Sequence, residues 1–334
     1  MIPRRSRLVA EYDDVGRRLG PHACETTGRP LSRSLRVAGL IITLVLGGCR
    51  RGAQVRPVAT VTSSVPKADA PSSPSGLAPC ASTPLVVELA PGLSLQRFRS
   101  PTASPVGVGD GCITIARVDP VHYRFVLLTA LTDGGTHRAD EWRERFLLTG
   151  VMNASMFQEN SRSVGFMVSG KKVNNIDDSP KYGAFMAWDA IDKSSDPVSF
   201  LGRSCNGFNL SSIRKRYRSI VQNYRLLDCD GSAIHWKDEK VYSAAAIGQD
   251  RAGKVAFIHS RTPFTMTQFA TILATPALEL RAAMFVEGGP EASLSIRSGE
   301  TEVRGIGSYE TGFAENDDNQ RFWSLPNMIG FTAR

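Results

Sequence analysis

From about residue 84 onward the chain is cut into short apolar runs of strand length, each closed by small or polar turn residues, and this punctuation is the strongest constraint on its fold. Leu85-Val-Val-Glu-Leu-Ala, Leu93-Ser-Leu-Gln-Arg-Phe, Cys112-Ile-Thr-Ile-Ala-Arg-Val and Tyr123-Arg-Phe-Val-Leu-Leu read as strands. Gly183–Trp188, Ile220–Leu227, Val255–His259 and Ala283–Val286 extend the series. Two segments carry a helical period instead. In 137–148, Trp142 and Phe146 fall four apart on one face. In 265–275, Thr265 can cap a stripe of Met266, Phe269, Ala270 and Leu273. Without internal repeats or regular βαβ alternation, the pattern predicts an α+β domain with a mixed, mostly antiparallel β-sheet core and a few packed helices.

The segment before this domain has a different character. Arg33 and Arg36 precede the apolar run Val37–Leu46, which ends in Gly47-Gly48-Cys49. A basic flank, a short apolar core and a small-residue site read as a secretory signal, and about a dozen apolar residues fall short of the roughly 20 that cross a bilayer. Leu-Gly-Gly-Cys resembles a lipobox, with Cys49 as the lipidated residue. Residues 50–82 are rich in Pro, Ser, Ala and Val and cannot bury enough surface to offset their chain entropy. The expected division is a lipoprotein-type signal peptide at 1–48, a lipid-anchored linker at 49–83 and a globular domain at 84–334. The expected location is the cell envelope, on the periplasmic or outer-membrane side.

The net charge of +8 does not point to nucleic acid, because residues 1–48 carry eight Arg against four acidic residues and supply half of it. No basic run interleaved with aromatics follows. Cleavage before Cys49 would leave Cys80, Cys112, Cys205 and Cys229 in an oxidising setting, where three pairings are open. Cys205 with Cys229 and Cys80 with Cys112 is the preferred one, and four buried free thiols are the alternative. No Cys/His spacing suggests zinc, and Gly-x-Ser-x-Gly, Walker and HExxH motifs are missing. His122, His137, His235 and His259 are scattered singly, which favours structural roles.

Three segments place small and polar residues after strand-like runs, where loops build sites: Thr149–Phe157, Ile220–Asp228 and Ala283–Ser293. In order and spacing these resemble the phosphodiester glycosidase domain family. Asn153-Ala-Ser-Met-Phe157 is similar to its Asn-Gly-Gly-Phe-Phe-like loop, Val164–Lys172 to a glycine-containing segment, and Gln222–Leu227 to a Gln-Ser-x-Pro-like strand. Ala244-Ala-Ala-Ile-Gly248 with Asp250–Gly253 matches an Arg-Thr-Ala-Ile-Gly strand and its turn, Glu287-Gly-Gly-Pro-Glu-Ala-Ser293 an Asp-Gly-Gly-x-Ser loop, and Pro326–Phe331 the closing strand. The resemblance covers roughly 85–334. Glu287 stands where the family has Asp, Ala244 where it has Arg, and Ala154 and Ser155 replace two glycines.

The resemblance implies hydrolysis of a sugar-1-phosphodiester in an envelope or extracellular glycan. Glu287 would stabilise or attack the anomeric carbon as oxocarbenium character develops, with Asn153 beside it and Glu159 or Glu291 as a second carboxylate. Asn153 and Gln222 would hold sugar hydroxyls, and Gly288, Gly289 and Ser293 would form the binding loop. Arg225, Lys171 and Arg162 would receive the phosphate. Blander readings stand beside these: Glu287-Gly-Gly as a tight turn, Asn153 as a turn-former, and the acidic stretch 310–318 as a solvated loop rather than a calcium site. No cofactor and no metal ligand set is expected, though a divalent cation stays open. The expected partners are a glycan or glycosyl phosphodiester and, through the lipid, a membrane, with no nucleic acid. Ala244 prompts a second reading, a carbohydrate-binding envelope lipoprotein of the same fold without the chemistry.

Overall fold

The computed structural model describes residues 79–83 and 85–334. The segment expected to be a signal peptide, Cys49 and nearly all of the expected linker lie outside the described residues. No helix among them is long and apolar enough to cross a membrane. The chain runs β1 (Val86–Ala90), β2 (Leu93–Arg99), β3 (Cys112–Val118), β4 (Tyr123–Thr129), α1 (Ala139–Arg145), β5 (Gly150–Asn153), β6 (Met167–Ser169), β7 (Lys172–Asn175), β8 (Ala184–Ala190), β9 (Val198–Gly202) and α2 (Leu210–Arg216). It continues through β10 (Tyr217–Arg225), β11 (Val241–Asp250), β12 (Val255–Thr265), α3 (Met266–Leu273), β13 (Leu280–Gly288), β14 (Ser293–Ser298), β15 (Thr301–Ile306) and β16 (Asn327–Ala333).

These strands form two sheets. The larger has the order β1-β2-β3-β12-β11-β13-β10-β6-β7, with β8 on β10 and β9 on β8; the smaller has the order β15-β14-β5-β16-β4. Every pairing between these strands is antiparallel. With three short α-helices among the described residues, the chain has the α+β architecture that its punctuation predicts. One core cluster draws on both sheets, from Leu95, Val118, Ile247, Phe257 and Met284 of the larger and Phe125, Met152, Leu294 and Phe331 of the smaller. A second joins Ile113, Ile115, Ala246 and Phe285 of the larger sheet to Phe269, Ala270 and Leu273 of α3.

β11 shows why the sequence takes this form. Ala245 and Ile247 belong to the first cluster, Ala244 and Ala246 to the second, so both faces are covered and every residue of the strand is buried. Ser243-Ala-Ala-Ala246 is small because side chains crowd it from both sides, and close packing leaves little room for more volume. Helix α3 begins on a capping box. Gln268 N–H donates to Thr265 Oγ1, and Thr265 N–H donates to Gln268 Oε1, each at 3.1 Å.

The helix expected at 137–148 is shorter. It ends at Arg145, and Leu147 adopts φ 51°, a left-handed conformation that stops it, while Trp142 and Phe146 stack at 5.6 Å as their spacing predicts. Helix α2 has no counterpart in the sequence reading. Its one buried residue is Ile213, so it carries no apolar stripe; an Asn209 cap accepting Ser212 N–H at 2.9 Å starts it. Disulfides join Cys80 to Cys112 and Cys205 to Cys229, the preferred pairing. The chain is tied down before residue 84, because Ala81 already bridges Phe98.

Candidate active site

β13 carries Glu287 to the edge of the core. Along most of its length it pairs with β11, but the register shifts at Val286, so that Ala245 faces Glu287 while Ala246 faces Phe285. Such a bulge re-aims the side chains beyond it. Glu287 is 9% exposed, and its Oε1 accepts the Gly288 N–H at 3.1 Å. Gly288 lies opposite Ala244, the position where the family pattern has Arg, and Ala244 is buried among apolar side chains. No guanidinium therefore overhangs the turn from this position.

The next residue, Gly289, has φ +64°. A Cβ there would lie 3.1 Å from the Glu310 Cβ and run into the Glu310 carboxylate, so both conformation and space require glycine. Glu310 is 5% exposed and is held by a bridge from its backbone to Tyr242 on β11. Two buried carboxylates, Glu287 and Glu310, thus flank one Gly-Gly turn. The sequence carries no signal for Glu310: it opens an acidic stretch that reads as solvated, while its pairing with Tyr242 and its packing against Gly289 come from segments distant in the chain.

Asn153, the last residue of β5, holds the far side of this turn. Its Oδ1 accepts Ser293 N–H at 2.7 Å and its Nδ2 donates to the Glu291 carbonyl at 3.0 Å. The Ser293 hydroxyl also donates to the Glu291 carbonyl, at 2.9 Å. Asn153 and Ser293 therefore fix the loop that follows Glu287 by hydrogen bonds to its backbone. A network of buried amides and hydroxyls continues from there. Asn223 Nδ2 donates to the Ala154 carbonyl at 2.9 Å, Ser155 and Ser163 share a hydrogen bond of 2.6 Å, and Asn174 joins Asn327 at 2.9 Å. The Oδ1 of Asn223 is buried without a hydrogen-bond partner among the described residues.

Gln222 faces a different loop. Its Oε1 accepts Phe166 N–H and Ser179 N–H at 2.9 and 3.2 Å, and its Nε2 donates to the carbonyls of Ser179 and Tyr182 at 2.6 and 2.7 Å and to Asp178 at 3.0 Å. An amide so fully used shapes the 178–182 loop and has nothing left for a sugar hydroxyl. Arg225 pairs with Met284, three residues before Glu287, and points its guanidinium at Cys205, Cys229, Ser204 and Asp228. It lines a separate cavity of about 240 Å³ beside the Cys205–Cys229 disulfide.

Lys171 sits on the exposed turn between β6 and β7, where Gly170 N–H bonds the Arg218 carbonyl. That is six residues along β10 from Tyr224, roughly 20 Å by strand rise, so Lys171 does not converge with Glu287. Glu159 lies exposed in the turn closed by Ser161 N–H on the Gln158 carbonyl. Among the sequence's phosphate candidates, Arg162 follows the Asn153 loop, with Nε donating to the Asn174 carbonyl at 3.2 Å. The one group of potential metal-ligating atoms found among the described residues is Cys205, Asp228 and Cys229, whose sulfurs are committed to the disulfide.

Behind the turn, Tyr182, Tyr224 and Trp236 meet edge to face at 4.6 and 5.0 Å, and the Tyr242 hydroxyl donates to Asp238 at 2.7 Å. On the other side lies His259, which is in register with Ala245 and so in one cross-strand row with Glu287. Burial lowers its pKa to about 4, and its Nε2 lies 3.3 Å from the Ala292 carbonyl. At neutral pH the ring is uncharged and supports the same loop that Asn153 holds.

A family model described as phosphodiester glycosidase matches residues 148–332, more than half of the chain. Among solved structures, the chain is similar to the catalytic domain of zebrafish N-acetylglucosamine-1-phosphodiester alpha-N-acetylglucosaminidase, auto-inhibited by its pro-peptide. The identity is 13%, the TM-score 0.54, and the match covers 73% of this chain and 85% of that one. A hypothetical protein from Synechocystis matches at 11% identity and TM-score 0.48, over 75% of this chain and 64% of that one. No curated protein matches.

Proposed function

This chain belongs to the phosphodiester glycosidase family, and on that premise we propose that it hydrolyses a sugar-1-phosphodiester in an envelope or extracellular glycan, with Glu287 at the reacting centre. The observation that carries the reading is the placement of Glu287. It is a buried carboxylate at the end of a core strand, followed by a Gly-Gly turn that Asn153 and Ser293 hold in place. Breaking the bond between an anomeric carbon and a phosphate oxygen develops positive charge on the sugar. A fixed carboxylate stabilises that charge most where water is excluded. The leaving phosphate monoester is a weak base and departs without a strong acid.

The same proposal takes the chain to be a lipoprotein, anchored through Cys49 and held off the membrane by residues 50–82. This part is supported by the sequence pattern alone.

The test is release of p-nitrophenol-bearing phosphate from a panel of p-nitrophenyl phosphodiesters of common hexoses and hexosamines, by the wild-type chain and by Glu287→Gln. Release that falls at least 100-fold in the variant, with unchanged melting, supports the proposal. No release from any panel member by a folded chain removes it. Ala244, which leaves the turn without a guanidinium from β11, favours one second reading: a glycan-binding protein without turnover, recognised by sugar binding that survives Glu287→Gln.

A further inference from the structure

We infer that Glu310 is the second catalytic carboxylate of this site, the group that takes the proton from the attacking water. The inference rests on the glycosidase reading above and adds to it a residue that no family motif marks.

Three observations place it. First, Glu310 is more deeply buried than Glu287 although it begins the acidic segment 310–318. Burying a carboxylate is costly, and a chain bears that cost where the group is used or well bonded. Second, the backbone that carries it is fixed on all sides. Ser243 Oγ accepts Ser308 N–H and Tyr309 N–H at 3.0 and 3.1 Å, Thr311 N–H donates to the Val241 carbonyl at 3.1 Å, and Glu310 and Ala314 exchange two hydrogen bonds of 2.9 Å. Third, its carboxylate packs against Gly289, where any Cβ would collide with it, and that glycine is two residues after Glu287. The turn that follows one carboxylate is therefore shaped around the other.

The chemistry needs such a group. Glycoside cleavage uses a pair of carboxylates on the scissile bond, and with phosphate as leaving group the weak partner is the water, not the departing oxygen. As water forms its bond to the anomeric carbon, the carbon–oxygen bond to phosphate breaks and its electron pair leaves with the phosphate monoester. The proton released by water passes to Glu310, while Glu287 stabilises the charge on the sugar. Glu310 then returns its proton to solvent.

The experiment compares wild type with Glu310→Gln, Glu310→Ala, Glu310→Asp and Glu287→Gln on whichever panel substrate wild type turns over, with and without sodium azide. Azide attacks carbon without needing a base. The expected results are a kcat lowered about 100-fold in Glu310→Gln with KM nearly unchanged, and recovery of Glu310→Ala by azide with a glycosyl azide as product. Glu287→Gln should not recover. Glu310→Asp, which keeps the charge and withdraws it by one methylene, should lose at least about tenfold and guards against a folding defect in the uncharged variants. Wild-type-like kcat in Glu310→Gln or Glu310→Asp overturns the inference and leaves the glycosidase reading intact. A loss that azide does not restore, in a variant that melts as wild type does, also overturns it. Failure of wild type on every substrate removes both.

Discussion

The side-chain oxygen of Asn153 accepts the backbone N–H of Ser293 at 2.7 Å, joining the end of β5 to the start of β14 across 140 residues of sequence. With its amide nitrogen on the Glu291 carbonyl, Asn153 closes a clamp on the loop after Glu287. Asn153→Ala leaves the buried Ser293 N–H without its partner and the Glu291 carbonyl with the Ser293 hydroxyl alone. Denaturant unfolding should show a loss of about 2 kcal/mol, together with a fall in turnover as the loop loosens. Unchanged stability would mean that the loop holds itself.

The Gln222 amide meets five polar atoms around the 178–182 loop, with one of its two N–H groups shared between acceptors. Gln222→Leu removes all of these contacts in a similar volume and should cost about 3 kcal/mol or more, with faster proteolytic cleavage in 176–182. A rise in KM with no change in stability would instead return Gln222 to the sugar.

His259 gives the stability a defined pH dependence. Its pKa is about 4 in the folded chain, below the ordinary value of 6.5, because burial penalises the charged ring. The unfolded chain therefore binds this proton more readily. The contribution is fully present above pH 6.5 and is lost as pH falls from 6.5 towards 4, at about 3 kcal/mol in all. Unfolding midpoints measured across that interval should fall with acidification, and the slope should flatten in His259→Gln.

Arg261 organises the segment that carries Glu310. Its guanidinium donates to the carbonyls of Ile306, Asn319 and Asp317 at 3.0, 2.9 and 2.6 Å, and its Nε lies 2.8 Å from the Asp317 carboxylate. Arg261→Ala should raise amide exchange throughout 306–319 and lower stability by about 2 kcal/mol. Exchange confined to residue 317 and its neighbours would show that the Tyr242 bridge alone holds Glu310.

The Cys205–Cys229 disulfide closes a 24-residue separation and forms one wall of the cavity at Arg225. Replacing both cysteines with alanine should lower stability by about 3 kcal/mol. The Glu287 site sits at another part of β13, so turnover at moderate temperature should change little; a large loss would show the two regions to be coupled.

The fold was legible where local pattern and tertiary role coincide. Thr265, Gln268 and the stripe of α3 announce a helix because cap and buried face are both local. The strands around Ile113, Tyr123 and Phe257 announce themselves by short apolar runs between turns. Helix α2 was not legible because one buried residue leaves no period to read. Among site residues, adjacent positions on β10 divided in a way that spacing cannot reveal. Successive strand side chains take opposite faces, and Gln222 was drawn into the 178–182 loop while Asn223 turned to Ala154.

The sequence by itself determined most of the strands and helix α3, the family pattern and the Glu287-Gly-Gly turn, since each is written in neighbouring residues; among three cysteine pairings it favoured the one the structure shows. Only the tertiary structure decided which polar groups meet. It sent Arg225 to the disulfide and Lys171 to a distant hairpin, left Glu159 in solvent, and brought Glu310 against Gly289. Those placements depend on strand register and on packing between segments far apart in the chain, and neither is encoded in any local run of residues.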